Sequence, residues 1–403
     1  MKQKIFFLVF GSCAGITVFL YFVFSWYSSV TMVSQKQPEE IAAAVIEKTP
    51  LPILSFEDKL GQMFLIGFEG TEVTPEVSSL LSTIRPGGVL LLGRNIVNEA
   101  QLMKLIAGLQ DISMRVVGLP LFVAVDQEGG IVSRIPWAED TAQFDLQDGA
   151  EAFLVAQKRA QDLKKVGVNM NLAPVLDSDG MGDFLFNRSF QKDQDASLVV
   201  AQGLIRGHAQ EGVIPVPKHF PGYDGVAFNP ETGVLPFTEN FPDTSFFKKV
   251  MDFSQVPFLM LSHVVYEAVD PADPLPLSEK GMELVRKELG GQVLFMSDDL
   301  ASKSLMAHYS LGEIGRASLS AGVDILLVGG YPETAVVEEF YSAVKNELAK
   351  EQPVYGAASM GGLYEILSDA AEGDIGLQER VEQSADKIVK LKKEMLWKTS
   401  GLQ

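Results

Sequence analysis

The chain has 403 residues and carries 33 Lys and Arg against 52 Asp and Glu, a formal net charge of −19. That balance excludes a nucleic-acid binder, which needs a basic stripe to meet phosphates. A hydrophobic content of 47% with 21% charged residues excludes a disordered chain as well.

The first element is apolar: Ile5 to Trp26 holds no Asp, Glu, Lys, Arg or His and follows Lys2 and Lys4. About 20 apolar residues in a helix cross a bilayer, whereas a secretory signal has a shorter core and a small-x-small cleavage site. Residues 1–26 are therefore expected to be an uncleaved transmembrane signal-anchor, a membrane partner for the chain. The lysines then stay inside and the rest is extracytoplasmic. Cys13, the single cysteine, lies in that run, so the exported part has no disulfide and no cysteine-based metal site. Residues 27–54, with Ser28, Ser29, Gln35, Pro38, Pro50 and Pro52, read as a linker.

From Ser55 the pattern changes. Ser55-Phe56-Glu57-Asp58 has the form of a helix start, and eight short apolar runs follow: 62–68, 88–92, 121–125, 168–173, 213–216, 257–261, 293–296 and 324–328. Runs that are apolar throughout mark parallel strands buried on both faces. Helix-period segments such as Glu151–Val166 and Ser278–Leu289 fill most of the gaps. Eight strands with helices between them predict an α/β fold, a TIM-like (β/α)8 barrel over residues 55–403; a doubly wound open sheet is the competing arrangement. The final segment, Leu377–Trp397, places Val381, Ala385, Ile388 and Met395 near helical spacing, with Lys387, Lys390, Lys392 and Lys393 between them. It reads as an outer helix with a solvated charged face, the alternative being a basic helix that touches a membrane.

Reactive groups stand immediately after the strands. The second run leads into Gly93-Arg94-Asn95, and the third into Asp126-Gln127-Glu128-Gly129-Gly130 and Arg134. After the fourth come Asp177 and Asn187-Arg188-Ser189-Phe190; the fifth ends in Lys218-His219-Phe220-Pro221-Gly222, the sixth in Ser262-His263 and the seventh in Ser297-Asp298-Asp299. A barrel gathers its strand C-termini into one rim, so these groups are expected to converge on one site. No His, Cys, Asp or Glu pair has metal-ligand spacing, and Gly129-Gly130 lacks the remainder of either nucleotide motif, so no metal and no cofactor is expected. What remains is carboxylates with Arg, Lys, His and Asn. Such planar polar groups hold sugar hydroxyls, and two carboxyl groups commonly break a glycosidic bond.

Val125-Asp126-Gln127-Glu128-Gly129-Gly130 with Arg134, Asn169 to Asp177, Asn187-Arg188-Ser189-Phe190, Lys218 to Gly222 and Phe295 to Leu300 stand in an order that resembles glycoside hydrolase family 3. The resemblance is to its single-barrel β-N-acetylglucosaminidases (β-N-acetylhexosaminidases) of bacterial peptidoglycan recycling, and it runs from about Ser55 to beyond Gly330. It implies a TIM-like barrel, a retaining mechanism and a glycan partner carrying terminal β-linked N-acetylglucosamine, acted on by a monomer. It implies further that Asp298 is the nucleophile, and that Asp126, Arg134, Arg188, Lys218 and His219 hold the sugar. Asp177 is expected to tie the rim together rather than touch sugar, and Asp299 to serve as a local cap.

The chain departs from the family pattern in two places, the first of them a loop. There the family carries an Asp and, two residues on, a His that acts as acid/base; here those positions hold Asn229 and Glu231. Two readings follow. In one, Glu231 is the acid/base, with Asp224 a weaker substitute; in the other, the protein is a catalytically impaired, membrane-tethered glycan-binding or scaffold protein. Ile131 stands where an Arg is usual, which alters the surface beyond the first sugar.

Overall fold

The computed structural model describes residues 52–177, 180–254, 256–290, 293–329, 334–350 and 376–396. The expected anchor, and the linker up to Leu51, lie outside the described residues. Among the described residues no helix is long and apolar enough to cross a membrane.

Helix α1 (Phe56–Gln62) begins on a capping box. Ser55 Oγ accepts the Asp58 N–H at 3.1 Å, and the Asp58 carboxylate accepts the Ser55 N–H at 2.9 Å. Eight strands then carry the parallel pairing of the core among the described residues: β1 (Phe64–Ile66), β2 (Gly88–Leu91), β3 (Phe122–Val125), β4 (Met170–Asn171), β5 (Ile214–Pro215), β6 (Phe258–Leu261), β7 (Leu294–Ser297) and β8 (Leu326–Val328). Between them run α2 (Pro75–Ile84), α3 (Glu99–Val116), α4 (Gly149–Val166), α5 (Gln194–Gln210), α6 (Ser245–Ser254), α7 (Glu279–Leu289) and α8 (Leu311–Ala321), followed by α9 (Ala335–Lys350) and α10 (Leu377–Met395). Strands β1 to β5 pair in chain order, and β8 pairs with β1 on its other side. Strands β6 and β7 pair with each other. Isolated parallel bridges, Phe220 to Leu261 and Met296 to Ile325, connect the segment after β5 with β6, and β7 with the residue before β8.

The strands read as unbroken apolar runs because they are covered on both faces. Every residue of β2, β3, β6 and β7 is buried. Phe122 of β3 and Phe258 of β6 meet edge to face with centroids 5.4 Å apart, although their strands do not pair. Full burial of a side chain of this size contributes roughly 1.5–3 kcal/mol. Outside the sheet, α4 and α5 approach closely through small residues. A Cβ on Gly207 would lie 2.5 Å from the Phe153 carbonyl oxygen and 2.6 Å from Ala156 Cβ. Helix ends fall where short polar side chains cap them: Asp148 accepts the Ala150 and Glu151 N–H groups, and Ser278 accepts that of Gly281.

The C-terminal helix corrects one expectation. Val381, Ala385 and Ile388 are buried and Lys387 and Lys390 exposed, as their spacing predicts. Lys392, expected on the solvated face, is fully buried: its Nζ donates to Gln62 Oε1 at 2.7 Å and lies 5.1 Å from the Phe122 ring centroid. The reason is geometric, since Lys392 is four residues beyond Ile388 and seven beyond Ala385, on the same buried stripe.

Candidate active site

As β3 ends, the chain leaves the sheet at Asp126 and enters a hairpin, Gln127–Gly129 paired with Val132–Ser133. Asn171 of β4 fixes this exit by accepting the Gln127 N–H at 3.0 Å and donating to its carbonyl at 2.9 Å. Buried Arg159 of α4 supports the hairpin by donating to the carbonyl oxygens of Glu128 (2.8 Å) and Thr141 (2.7 Å). At Gly129 φ is +94°, and a Cβ there would lie 2.1 Å from the Thr141 carbonyl oxygen, so only glycine fits. In an extended chain residues two apart share a face. Asp126 and Glu128 both turn their carboxylates to Lys218, whose Nζ lies 2.7 and 2.6 Å from them.

Arg188 closes the cluster with a two-pronged contact to Glu128, its Nε at 2.9 Å and an Nη at 2.7 Å. Burial alone would raise the Glu128 carboxyl, but the Lys218 and Arg188 charges outweigh it and bring it down to about 2. Lys218 is pushed up despite its burial, because Asp126 and Glu128 favour the ammonium. Arg134 lies 4.0 Å from Asp126, and its buried Nε has no hydrogen-bond partner among the described residues.

A second network lies beside the first. Asp177 accepts both the backbone N–H and the ring Nδ1 of His219 at 2.9 Å, and its other oxygen accepts the Tyr223 N–H at 3.0 Å. The Lys218–His219 and Phe220–Pro221 peptides between these groups are cis. The Tyr223 hydroxyl accepts the His263 N–H at 3.0 Å and donates to Asp298 Oδ2 at 3.3 Å. Asp298 follows β7 directly; its Oδ1 accepts the Asp299 N–H at 2.8 Å, and His219 Nε2 stands 4.0 Å from Oδ2. Burial opposes ionisation of Asp298, but the His219 and His263 imidazoles and the Asp299 N–H hold it below the ordinary aspartate range. Asp299 differs: burial raises it to about 6, while its Oδ1 accepts the N–H groups of Ala301 and Gly329, each at 2.9 Å.

These groups line one cavity of about 640 Å³ at the C-terminal ends of the strands. Asp126, Arg134, Arg188, Lys218, His219 and Asp298, separated by up to 172 positions in the sequence (298 − 126 = 172), all face it. Asp177 does not; it stands behind His219 and Tyr223. Asn229 and Pro230 line the same cavity, so the turn Pro230–Thr232 that carries Glu231 sits at its edge. The Glu231 side chain itself lies outside what is described. Asp224 lines a neighbouring cavity instead. Among the described residues no three His, Cys, Asp or Glu side chains are grouped to hold a metal ion.

Three residues of this site have partners that a reading by motif does not supply. Glu128 was expected at the strand end, but its sharing of Lys218 with Asp126, which its i, i+2 relation allows, was not. Tyr223 and His263 meet Asp298 across long sequence separations, and no spacing rule brings them together.

Strand-end carboxylates beside buried cations, around a cavity fit for a small polar molecule, are the groups that glycosidic-bond hydrolysis requires. Comparison with known proteins agrees. Residues 55–359 match the Glycosyl hydrolase family 3 N terminal domain. A beta-hexosaminidase from Alkalilimnicola ehrlichii is 31% identical over 290 residues, covering 67% of this chain and 81% of its own. Another, from Shewanella frigidimarina, is 30% identical over 330 residues, covering 76% and 92%. Among solved structures, the beta-N-acetylhexosaminidase of Beutenbergia cavernae superposes with a TM-score of 0.72 at 25% identity, over 85% of this chain and 99% of that one. A family 3 beta-N-acetylglucosaminidase from Paenibacillus gives 0.71 at 26% identity; this chain is covered to 85% and spans 63% of that longer one. The chain belongs to glycosyl hydrolase family 3.

Proposed function

We propose that the chain is a retaining β-N-acetylhexosaminidase that removes terminal β-linked N-acetylglucosamine from peptidoglycan-derived or related glycans. The observation that carries this reading is the cavity itself, in which the carboxylate of Asp298, directly after β7 and held below the ordinary aspartate range, stands among groups suited to holding sugar hydroxyls. The parallel pairings and the two bridges are read as a closed (β/α)8 barrel, whose strand ends hold the site rigidly. Tethering by Ile5–Trp26, with the site on the extracytoplasmic side, and action as a monomer complete the proposal.

Asp298 attacks the anomeric carbon, forming its bond to sugar as the glycosidic bond breaks, and water later releases the sugar with the same anomeric configuration. Asp126, Lys218, Arg188 and Arg134 hold hydroxyl and N-acetyl groups; the Arg134 Nε, without a partner among the described residues, is a donor for an acceptor on the sugar. His219, oriented by Asp177, lies close enough to Asp298 to favour its negative charge. The leaving oxygen takes its proton from Glu231 at the cavity edge, once the loop brings this carboxyl to about 5–5.5 Å from Asp298. Turnover of an aryl β-N-acetylglucosaminide tests the proposal: the wild-type protein is expected to release the aryl alcohol, and Asp298→Asn to lower kcat by at least about a thousandfold. Absence of turnover in the wild type, or full activity in the variant, contradicts it.

A further inference from the structure

We propose that Tyr223 is a positioning residue for the nucleophile: its phenol, fixed by the His263 N–H, aims its single proton at Asp298 and keeps that carboxylate oriented and ionised. The inference rests on the reading of Asp298 as nucleophile and extends it to a residue that lies on the loop where this chain departs from the family pattern.

Donor counting sets the direction of the bond. A tyrosine hydroxyl has one proton to give and lone pairs to accept with. A backbone N–H can only donate, so the 3.0 Å contact from His263 occupies a lone pair and leaves the phenol proton for Asp298 Oδ2 at 3.3 Å. The phenol remains protonated, because burial and the nearby Asp298 charge raise it well above the ordinary tyrosine range. The other carboxylate oxygen is held independently by the Asp299 N–H at 2.8 Å. Each oxygen of the nucleophile therefore has its own donor, from a different segment of chain.

Tyr223 is itself fixed from three directions. Asp177 accepts its backbone N–H at 3.0 Å. Phe184 and His219 pack edge to face on its ring, each with centroids 5.2 Å away. Its side chain is 2% exposed. Asp177 thus holds His219 and Tyr223 together, and both face Asp298. The charged and titratable groups around the pair are His219 and Lys218 from the segment after β5, His263 from the segment after β6, and Asp299 beside the nucleophile. On its far side Tyr223 faces Asp177 and Tyr266.

The test is the acid limb of the pH profile of kcat/KM on an aryl β-N-acetylglucosaminide, which reports ionisation of the free nucleophile. Tyr223→Phe keeps the ring packing and removes only the donor. Losing one hydrogen bond to a charged acceptor is expected to move the limb up by about one pH unit and to lower kcat about tenfold with KM nearly unchanged. Replacing Tyr223 by a ring-fluorinated tyrosine, a stronger donor of the same shape, is expected to move the limb down, which keeps the test decisive if the Phe variant folds poorly. An acid limb that stays in place in both variants overturns the inference while leaving the nucleophile reading intact, provided Asp298→Asn is inactive. An active Asp298→Asn protein overturns the nucleophile reading and the inference with it.

Discussion

At Glu128 burial and charge compete, and the charges win. A carboxyl removed from water is ordinarily driven towards its neutral form, yet Lys218 and Arg188 bring this one down from 4.5 to about 2. Because the folded value lies below the unfolded one, the group contributes stability that is fully present above about pH 4.5 and is lost as pH falls towards 2. The shift corresponds to roughly 3 kcal/mol. Glu128→Gln is therefore expected to unfold at lower urea than wild type at pH 7, with the difference shrinking by pH 3; a difference independent of pH contradicts this. A second residue-scale prediction concerns Glu231. Glu231→Gln is expected to abolish turnover of substrates with poor leaving groups and to spare those with activated aryl leaving groups, measured as kcat/KM for each. Equal loss on both counts against an acid role. Site residues at strand ends were legible because their position follows from a repeating pattern. Glu128 and His263 were legible as strand-end groups, but their partners, and the part played by Tyr223, were not, because tertiary contacts fix them: Arg188 is 60 positions from Glu128, and Asp298 is 75 from Tyr223.

Among the elements, α10 shows how far periodicity reaches. Val381, Ala385 and Ile388 mark its buried stripe, and the observed helix, Leu377–Met395, ends close to the predicted boundary. The stripe also contains Lys392, and residue type alone assigned it to solvent. Burial pushes its ammonium well below the ordinary lysine range. Between the lowered folded value and 10.5 the unfolded chain binds the additional proton, so stability is expected to rise as pH approaches 10.5, where the unfolded lysine also loses its charge. Lys392→Met is expected to flatten that rise in urea unfolding between pH 7 and 10; parallel pH dependences for the two proteins contradict it. The strands were legible for the converse reason. With both faces covered they are uniformly apolar, so runs such as 121–125 and 257–261 overlay β3 and β6 closely. The shorter β4 and β5 were overestimated in length, because apolar residues continue past the points where the ladder stops.

Among the described residues, the first and last helices meet. Lys392 reaches Gln62, Ser384 Oγ donates to Asp324 at 2.7 Å, and Lys59 of α1 pairs with Glu382. The last helix thus holds the start of the fold and the approach to β8 together, while the site occupies the strand ends. Composition foretold none of this. The charge of −19 excluded nucleic acid without naming a substrate, since a neutral sugar is recognised by local pairs rather than by net charge. The measurement that bears most directly on the account is peptide mass spectrometry of the protein quenched during turnover of an activated aryl β-N-acetylglucosaminide. The account predicts an N-acetylhexosaminyl adduct on the peptide containing Asp298, absent from Asp298→Asn. Turnover with no adduct on that peptide, or an adduct on another carboxylate, would contradict it.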